Sequence, residues 1–176
     1  MNLFRTLSAA AVICLAGPSL TGCLNAPNYP VEPKIDVNAV TVFRRDGSLG
    51  LRDSVEIALN FQDGDGDLGL DETDKTGPFG DKNNRFYNNY FIQTSYKNAA
   101  GAFVPLVQAF SYNGRFIRLN ATTAKEGPIK GVLRYAIVFS LITPATKPGT
   151  EIRFQVSIAD RALHESNVVI TPSVVL

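Results

Sequence analysis

The alternation of apolar and polar residues along the chain predicts β-strands. The clearest cases are residues 54–61 and 151–158, in which every second residue is apolar. A period of two is typical of a strand with one face on a core and the other towards solvent. The residues expected to face inwards are Val55, Ile57, Leu59, Phe61, Ile152, Phe154, Val156 and Ile158. Those expected to face outwards are Glu56, Ala58, Asn60, Arg153, Gln155 and Ser157.

Six further segments carry weaker strand patterns, separated by turns rich in Gly, Asn, Asp and Pro. Residues 132–141 form the most apolar of these segments, as expected of a central strand. The other five are 36–45, 86–97, 102–110, 115–119 and 167–176. About eight strands, with no helical pattern after the first 22 residues, predict an all-β domain. The expected architecture is an antiparallel β-sandwich of the Ig-like type.

The N-terminal segment has the features of a bacterial lipoprotein signal peptide. Arg5 precedes an apolar stretch, residues 7–20, that is too short to span a bilayer. The stretch ends in Leu20-Thr21-Gly22-Cys23, which matches a lipobox, the motif whose Cys is acylated and becomes the mature N-terminus. We therefore predict a signal peptide over residues 1–22, and a lipid on Cys23, palmitate included, as the membrane anchor.

A proline-rich tether is predicted to follow the lipid, so that residues 23–34 link the anchor to a domain over residues 35–176. Prolines at 27, 30 and 33 favour an extended polyproline II conformation. At about 3.1 Å per residue, such a tether would hold the domain about 30 Å from the bilayer.

The composition argues against several kinds of chemistry. The chain has 17 basic and 16 acidic residues and no basic stripe of the kind that nucleic-acid binding requires. Its only histidine, His164, argues against zinc catalysis, and no Gly-x-Ser-x-Gly nucleophile motif is present. Asp160 and Ser166 lie near His164 in sequence, which is no evidence for a catalytic triad. Because Cys14 lies in the signal peptide, the mature chain has no cysteine pair to form a disulfide. We expect a protein that is not an enzyme.

An acidic segment follows the predicted strand 54–61. Six of the 16 acidic residues lie in the twelve positions from 63 to 74, and no basic residue lies among them. Like charges a few ångströms apart repel by about 1 kcal/mol even in water, so a cation would stabilise such a loop. Carboxylates occupy positions 1, 3, 5, 9 and 12 of a calcium-type loop, and Ca²⁺ prefers hard oxygen ligands. The predicted metal ligands are Asp63, Asp65, Asp67, Asp71 and Asp74.

The acidic segment resembles the Asp-rich loops of EF-hands, dockerins, thrombospondin type 3 repeats and integrin-type propeller blades. Those loops usually carry Gly at position 6, where this chain has Leu68, and an EF-hand also needs Glu at position 12 between two helices. Position 12 is Asp74 here and a strand precedes the loop, which excludes an EF-hand. A calcium loop on a β scaffold is favoured. The alternatives are a solvated acidic turn, a magnesium site and catalytic carboxylates.

A second candidate site is aromatic. Residues 83–91 are rich in Asn and aromatic side chains, and Tyr112-Asn113-Gly114 offers a further ring. Tyr87, Tyr90 and Tyr112 could stack on sugar rings while Asn binds hydroxyl groups, although the chain has no Trp. If the protein binds glycans, we expect at least two of these tyrosines to be coplanar at the surface. Buried rings would instead belong to the core.

Three features together resemble a family of small lipoproteins of Bacteroidetes-type bacteria. They are the lipobox, the loop Phe61-Gln62-Asp63-Gly64-Asp65-Gly66-Asp67-Leu68-Gly69, and the segment Asp160-Arg161-Ala162 with Ser166-Asn167. The resemblance implies a lipoprotein of the cell envelope. We expect it to be a lipid-anchored binding or structural module, with a protein or a glycan as its partner. Surface-exported lipoproteins of such bacteria often carry acidic residues just after the Cys. Their absence after Cys23 favours the periplasmic face of the outer membrane.

Overall fold

The computed structural model describes residues 27–45, 51–108, 110–120 and 125–176. Within these ranges the chain forms eight β-strands and two single-turn 3-10 helices, Gly77–Phe79 and Arg85–Tyr87. The strands are β1 (Lys34–Arg45), β2 (Arg52–Asp63), β3 (Tyr90–Lys97), β4 (Phe103–Pro105), β5 (Ile129–Ser140), β6 (Glu151–Ile158), β7 (Val169–Ile170) and β8 (Val174–Val175). The all-β prediction is confirmed. No helix in this described part is long and apolar enough to cross a membrane.

The strands form two antiparallel sheets. One sheet has the order β1-β2-β5, and the other has the order β4-β3-β6-β7, with β8 also paired to β6. The first, second and fifth strands therefore share one sheet, while the third, fourth, sixth, seventh and eighth share the other. This division is that of an Ig-like sandwich. The middle strand of the first sheet is β2, and that of the second is β6.

The core lies between the two sheets. All eight residues predicted to face inwards are buried, and the most exposed of them, Phe61, is 9% exposed. The rings of Phe139 in β5 and Phe154 in β6 lie 6.1 Å apart and join the two sheets. Burying one large apolar side chain contributes about 1.5–3 kcal/mol, so this layer provides most of the stability of the domain.

The outward-facing residues differ in part from the prediction. Gln155 is exposed, whereas three others are only partly exposed: Glu56, Asn60 and Arg153. Ala58 and Ser157, which were expected to face outwards, are buried. Ala58 lies in the middle strand of its sheet, paired with Ala39 on one side and Arg134 on the other. The alternation in sequence gives the direction of a side chain, whereas its exposure also depends on the neighbouring strands.

Two predicted strands are altered by side-chain hydrogen bonds. The predicted strand 86–97 begins only at Tyr90, because Asn84 accepts a hydrogen bond from the Phe86 N–H and starts a 3-10 turn. Residues 115–119 form no strand. Asn89 holds them instead, since its side chain donates to the Phe116 carbonyl at 3.1 Å and accepts from the Phe116 N–H at 2.8 Å. The Asn89 amide thus takes the place of a strand partner, together with the backbone bonds from Leu70 N–H to the Phe116 carbonyl and from Leu119 N–H to the Leu68 carbonyl.

Part of the predicted tether packs on the domain. Lys34 already belongs to β1, and Pro33 is buried. The carbonyl oxygens of Tyr29 and Pro30 lie against Gly64 in the acidic loop, too close for a side chain to stand there. The predicted lipidation site, Cys23, and the predicted signal peptide lie outside the described residues.

Candidate metal centre

The alternation of β2 brings the acidic loop to the edge of the core. Asp63 is the last residue of β2 and the next inward position after Phe61. Its side chain is therefore fully buried, with 0% exposure. One oxygen, Oδ2, accepts hydrogen bonds from the N–H groups of Gly66 at 2.8 Å and Asp67 at 3.1 Å. These two bonds close a tight turn directly after the strand.

Asp63, Asp65 and Asp67 converge on this turn. Each offers a carboxylate oxygen that lies within 4.8 Å of those of the other two. In all three residues Oδ1 is buried and has no hydrogen-bond partner among the residues that the structure describes. An unpaired buried acceptor costs about 1–3 kcal/mol. Three converging carboxylates that each have an unpaired buried oxygen among the described residues form an arrangement that a hard cation would stabilise.

The protonation of the cluster reflects the same crowding. Burial raises the pKa of Asp63 to about 7, and the charges of Asp65 and Asp67 add to the effect. Burial also raises the pKa of Asp67 to about 6, with help from the charges of Asp160 and Asp65. Without a cation, the cluster therefore retains protons at a pH where an ordinary carboxyl group has lost them.

The turn after β6 forms a second wall of the centre. Asp160, which is 1% exposed, forms a β-bridge with Leu68. Its two oxygens contact His164, one accepting from the backbone N–H at 2.7 Å and the other lying 2.9 Å from Nδ1. The Ala162 N–H donates to Oδ2 of Asp67 at 3.0 Å. Burial raises the pKa of Asp160.

Asp160 was not among the predicted ligands, yet a signal for it exists in the sequence. Asp63 is the next inward position after Phe61, and Asp160 has the same relation to Ile158. In both alternating strands, the row of inward apolar residues is thus continued by an aspartate. Such an aspartate is buried by the same alternation that buries the row.

Asp71 and Asp74, predicted as metal ligands, do not join the cluster. Asp74 forms a two-pronged ion pair with Arg161, in which Nη2 donates to Oδ1 at 3.0 Å. Burial alone would raise the pKa of Asp74, but hydrogen bonds from Arg161 and the Asp71 N–H lower it overall. Asp71 Oδ2 lies 3.5 Å from Nη1 of Arg118 and 3.7 Å from Nη1 of Arg161. Arginines neutralise both carboxylates, so the likeness to a twelve-residue calcium loop ends after its fifth position.

The geometry around His164 does not complete a triad. Its bond to Asp160 raises the pKa of His164, as the base of a triad would require. However, the Ser166 hydroxyl donates to the Asn167 carbonyl at 2.8 Å and accepts from the Ile158 N–H at 3.0 Å. This hydroxyl is therefore engaged with the backbone and holds the turn after β6 in place.

Of the three tyrosines considered as a sugar-binding platform, Tyr90 belongs to the core. Tyr90 is 0% exposed and stacks on Tyr135, with ring centres 4.1 Å apart and planes 16° apart. Tyr87 and Tyr112 are half-buried. Because Tyr90 belongs to the core, at most two of the three rings can reach a ligand.

An apolar groove of about 1030 Å³ lies at the end of the sandwich away from the acidic loop. It runs between the end of β5 and the segment that follows β4. Several of its lining residues are strongly exposed and apolar: Val107 at 93%, Ile142 at 82% and Phe110 at 62%. The two ends of the domain therefore differ, one being acidic and the other apolar.

The candidate metal centre thus consists of Asp63, Asp65 and Asp67, with Asp160 behind them. Each of the four belongs to a turn at the same end of the sandwich. Comparison of the chain with protein-family models, curated proteins and solved structures finds no match.

Proposed function

We propose that the protein is a lipid-anchored binding module of the cell envelope, in which Asp63, Asp65 and Asp67 hold a calcium ion. The observation that supports the ion best is the set of three buried Oδ1 atoms that have no hydrogen-bond donor within the part of the chain that the structure describes. Ca²⁺ takes six to eight oxygen ligands in flexible geometry, so backbone carbonyls and water would complete its shell. Mg²⁺ fits less well, because it demands a tight octahedron and keeps most of its water.

The role proposed for the ion is structural. It would neutralise carboxylates that otherwise repel one another in the folded state only, which shifts the folding equilibrium towards the native protein. Asp67 also accepts the hydrogen bond from Ala162, so the ion would hold the turns after β2 and β6 together. A cation would therefore fasten the two sheets at this end of the sandwich.

The anchor in this proposal is the acyl chain on Cys23, and its support is the lipobox. Tyr29 is in contact with the domain, so five residues of sequence, 24–28, separate this contact from Cys23. At about 3.1 Å per residue, five residues span about 15 Å. The acidic end of the domain would thus lie near the bilayer, on the periplasmic face of the outer membrane.

The partner in this proposal is an envelope protein. The exposed apolar side chains of the groove support a protein more than a glycan, because sugars require hydroxyl-binding groups beside a flat ring. From Ile129 to Ser140, β5 extends for about 36 Å at about 3.3 Å per residue. The groove therefore opens far from the tether, on the side turned away from the membrane.

Calcium titration of the full-length protein by calorimetry tests the proposal. Asp65→Asn removes one charge from the cluster, and Asp81→Asn removes one from an exposed residue of the same long connection between β2 and β3. One binding site is expected in the wild type and in Asp81→Asn, and none in Asp65→Asn at the same concentrations. Absence of binding in the wild type, or equal binding by all three proteins, would contradict the calcium site.

A further inference from the structure

The predicted tether contacts the acidic loop at Gly64. Gly64 stands between two of the clustered aspartates, Asp63 and Asp65. The carbonyl oxygens of Tyr29 and Pro30 occupy the space that a Cβ of residue 64 would need. Two backbones can approach this closely only because residue 64 has no side chain. The conformation of the loop at Gly64 therefore decides whether the tether fits.

The contact at Gly64 continues into the body of the domain. Pro33 is buried, and Ile35 begins the inward row of β1. The side chain of Asn167 accepts from the Ile35 N–H and donates to the Ile35 carbonyl, both at 2.9 Å. Ile35 is therefore held firmly, whereas Tyr29 and Pro30 depend on the loop. Residues 29–33 form a strap with one fixed end and one end that rests on Gly64.

We propose that occupancy of the metal centre decides whether this strap, residues 29–33, stays on the domain. The inference rests on the calcium site proposed above. Asp63 and Asp65 flank Gly64, so an ion that draws both carboxylates to one point also fixes the two peptide groups of Gly64. Without the ion, nothing ties these two carboxylates together, so the peptide groups of Gly64 are less restrained and their contact with the strap weakens.

The consequence is a change in the reach of the anchor. With the strap in place, only residues 24–28 link the lipid to the domain. Release of residues 29–33 adds five residues, or about 15 Å in extended conformation. Calcium would therefore hold the domain close to the bilayer in a restricted orientation, and its removal would let the domain move further from the membrane.

A nitroxide spin label at position 28 measures the motion of the strap. Asn28 is exposed, and Asn28→Cys would provide the free thiol in a mature protein whose Cys23 is acylated. Full-length lipidated protein in detergent is labelled, checked by mass for one label, and compared in calcium and in chelator. Gly64→Ala places a methyl group against the strap. Gly127→Ala is the matched control, since nothing lies within 4 Å of the Cβ it adds.

The rotational motion of the label should be several-fold slower in calcium than in chelator. This result is expected in the parent Asn28→Cys protein and in the same protein with Gly127→Ala added. With Gly64→Ala the label should move fast in both conditions, while calorimetry on that variant still detects calcium. If the parent protein binds calcium and its label moves equally in both conditions, the strap inference is wrong and the calcium site stands. If the parent protein binds no calcium, the site itself fails. If Gly64→Ala also loses calcium binding, the strap inference is tested by the parent protein alone, from the motion of its label in calcium and in chelator.

Discussion

The backbone N–H of Ala162 donates to the carboxylate of Asp67 at 3.0 Å, across 95 residues of sequence. Asp67 lies in the turn after β2 and Ala162 in the turn after β6, and these are the middle strands of the two sheets. The acidic cluster therefore lies where both middle strands end. A change in the charge of Asp67 therefore affects the turns after β2 and β6, one in each sheet.

The stability of the calcium-free protein should fall as the pH rises. The pKa of Asp63 is about 7 in the folded protein against 3.8 ordinarily, so the folded state binds this proton more tightly. The resulting stabilisation is complete below about pH 4 and is lost as the pH rises through about 7. Urea unfolding of calcium-free protein at pH 5.5 and pH 8 should give the larger free energy of unfolding at pH 5.5.

Asp63→Asn provides the control for the pH experiment. Asparagine keeps an oxygen that can accept from the N–H groups of Gly66 and Asp67, but it does not titrate. The variant should show a weaker dependence on pH, and the remainder comes from other groups such as His164, whose pKa is also raised. A wild type that is equally stable at both pH values, or more stable at pH 8, would contradict the assignment.

Tyr90→Phe should leave the protein as stable as the wild type or stabilise it by up to about 1 kcal/mol, because a buried hydroxyl without a partner costs free energy. The Tyr90 hydroxyl has none within the described part of the chain. Its stacking partner Tyr135 provides a matched comparison, since that hydroxyl donates to the Tyr112 carbonyl at 3.0 Å. Tyr135→Phe should therefore destabilise by about 1 kcal/mol. Equal effects of the two substitutions in chemical unfolding would show that the hydroxyl contacts are wrong.

Asn89→Ala should destabilise the domain by about 1–3 kcal/mol, because it leaves the buried N–H of Phe116 without a partner and its carbonyl with only the bond from the Leu70 N–H. Asn83→Ala, at an exposed position nearby, should change the free energy of unfolding by less than about 0.5 kcal/mol. Thermal or urea unfolding of both variants measures the difference. If Asn89→Ala costs no more than Asn83→Ala, then another contact fixes the segment around Phe116.

Much of the fold could be predicted from the sequence, because alternation at 54–61 and 151–158 depends only on which residues are apolar. The same reasoning could have found Asp160, since it continues an inward row. It could not have shown that Asp74 pairs with Arg161, 87 residues away, because that contact depends on how two turns meet. The burial of Tyr90 could not be predicted either, because a 3-10 turn at Arg85–Tyr87 interrupts the alternation before β3.

Replacement of Cys23 tests the anchor. Cys23→Ala should give a protein that keeps its signal peptide or becomes soluble, because acylation provides both the cleavage signal and the hydrophobic anchor. Membrane fractionation with palmitate labelling measures both properties, and the wild type is the control. Continued palmitate labelling and outer-membrane fractionation of the variant would show that Leu20–Cys23 is no lipobox.

Thermal unfolding in calcium and in chelator tests the proposed metal centre most directly. At a hundredfold excess over its dissociation constant, calcium should add about 2.7 kcal/mol of stability. For a domain of this size the melting temperature should rise by about 5–10 °C. Mg²⁺ should substitute poorly, and both Asp65→Ala and Asp67→Ala should abolish the response. Asp65→Ala should also slightly stabilise the calcium-free protein by relieving repulsion, whereas Asp67→Ala loses the hydrogen bond from Ala162 as well. Equal melting temperatures of the wild type in calcium and in chelator would contradict the metal centre and leave the loop as an acidic turn.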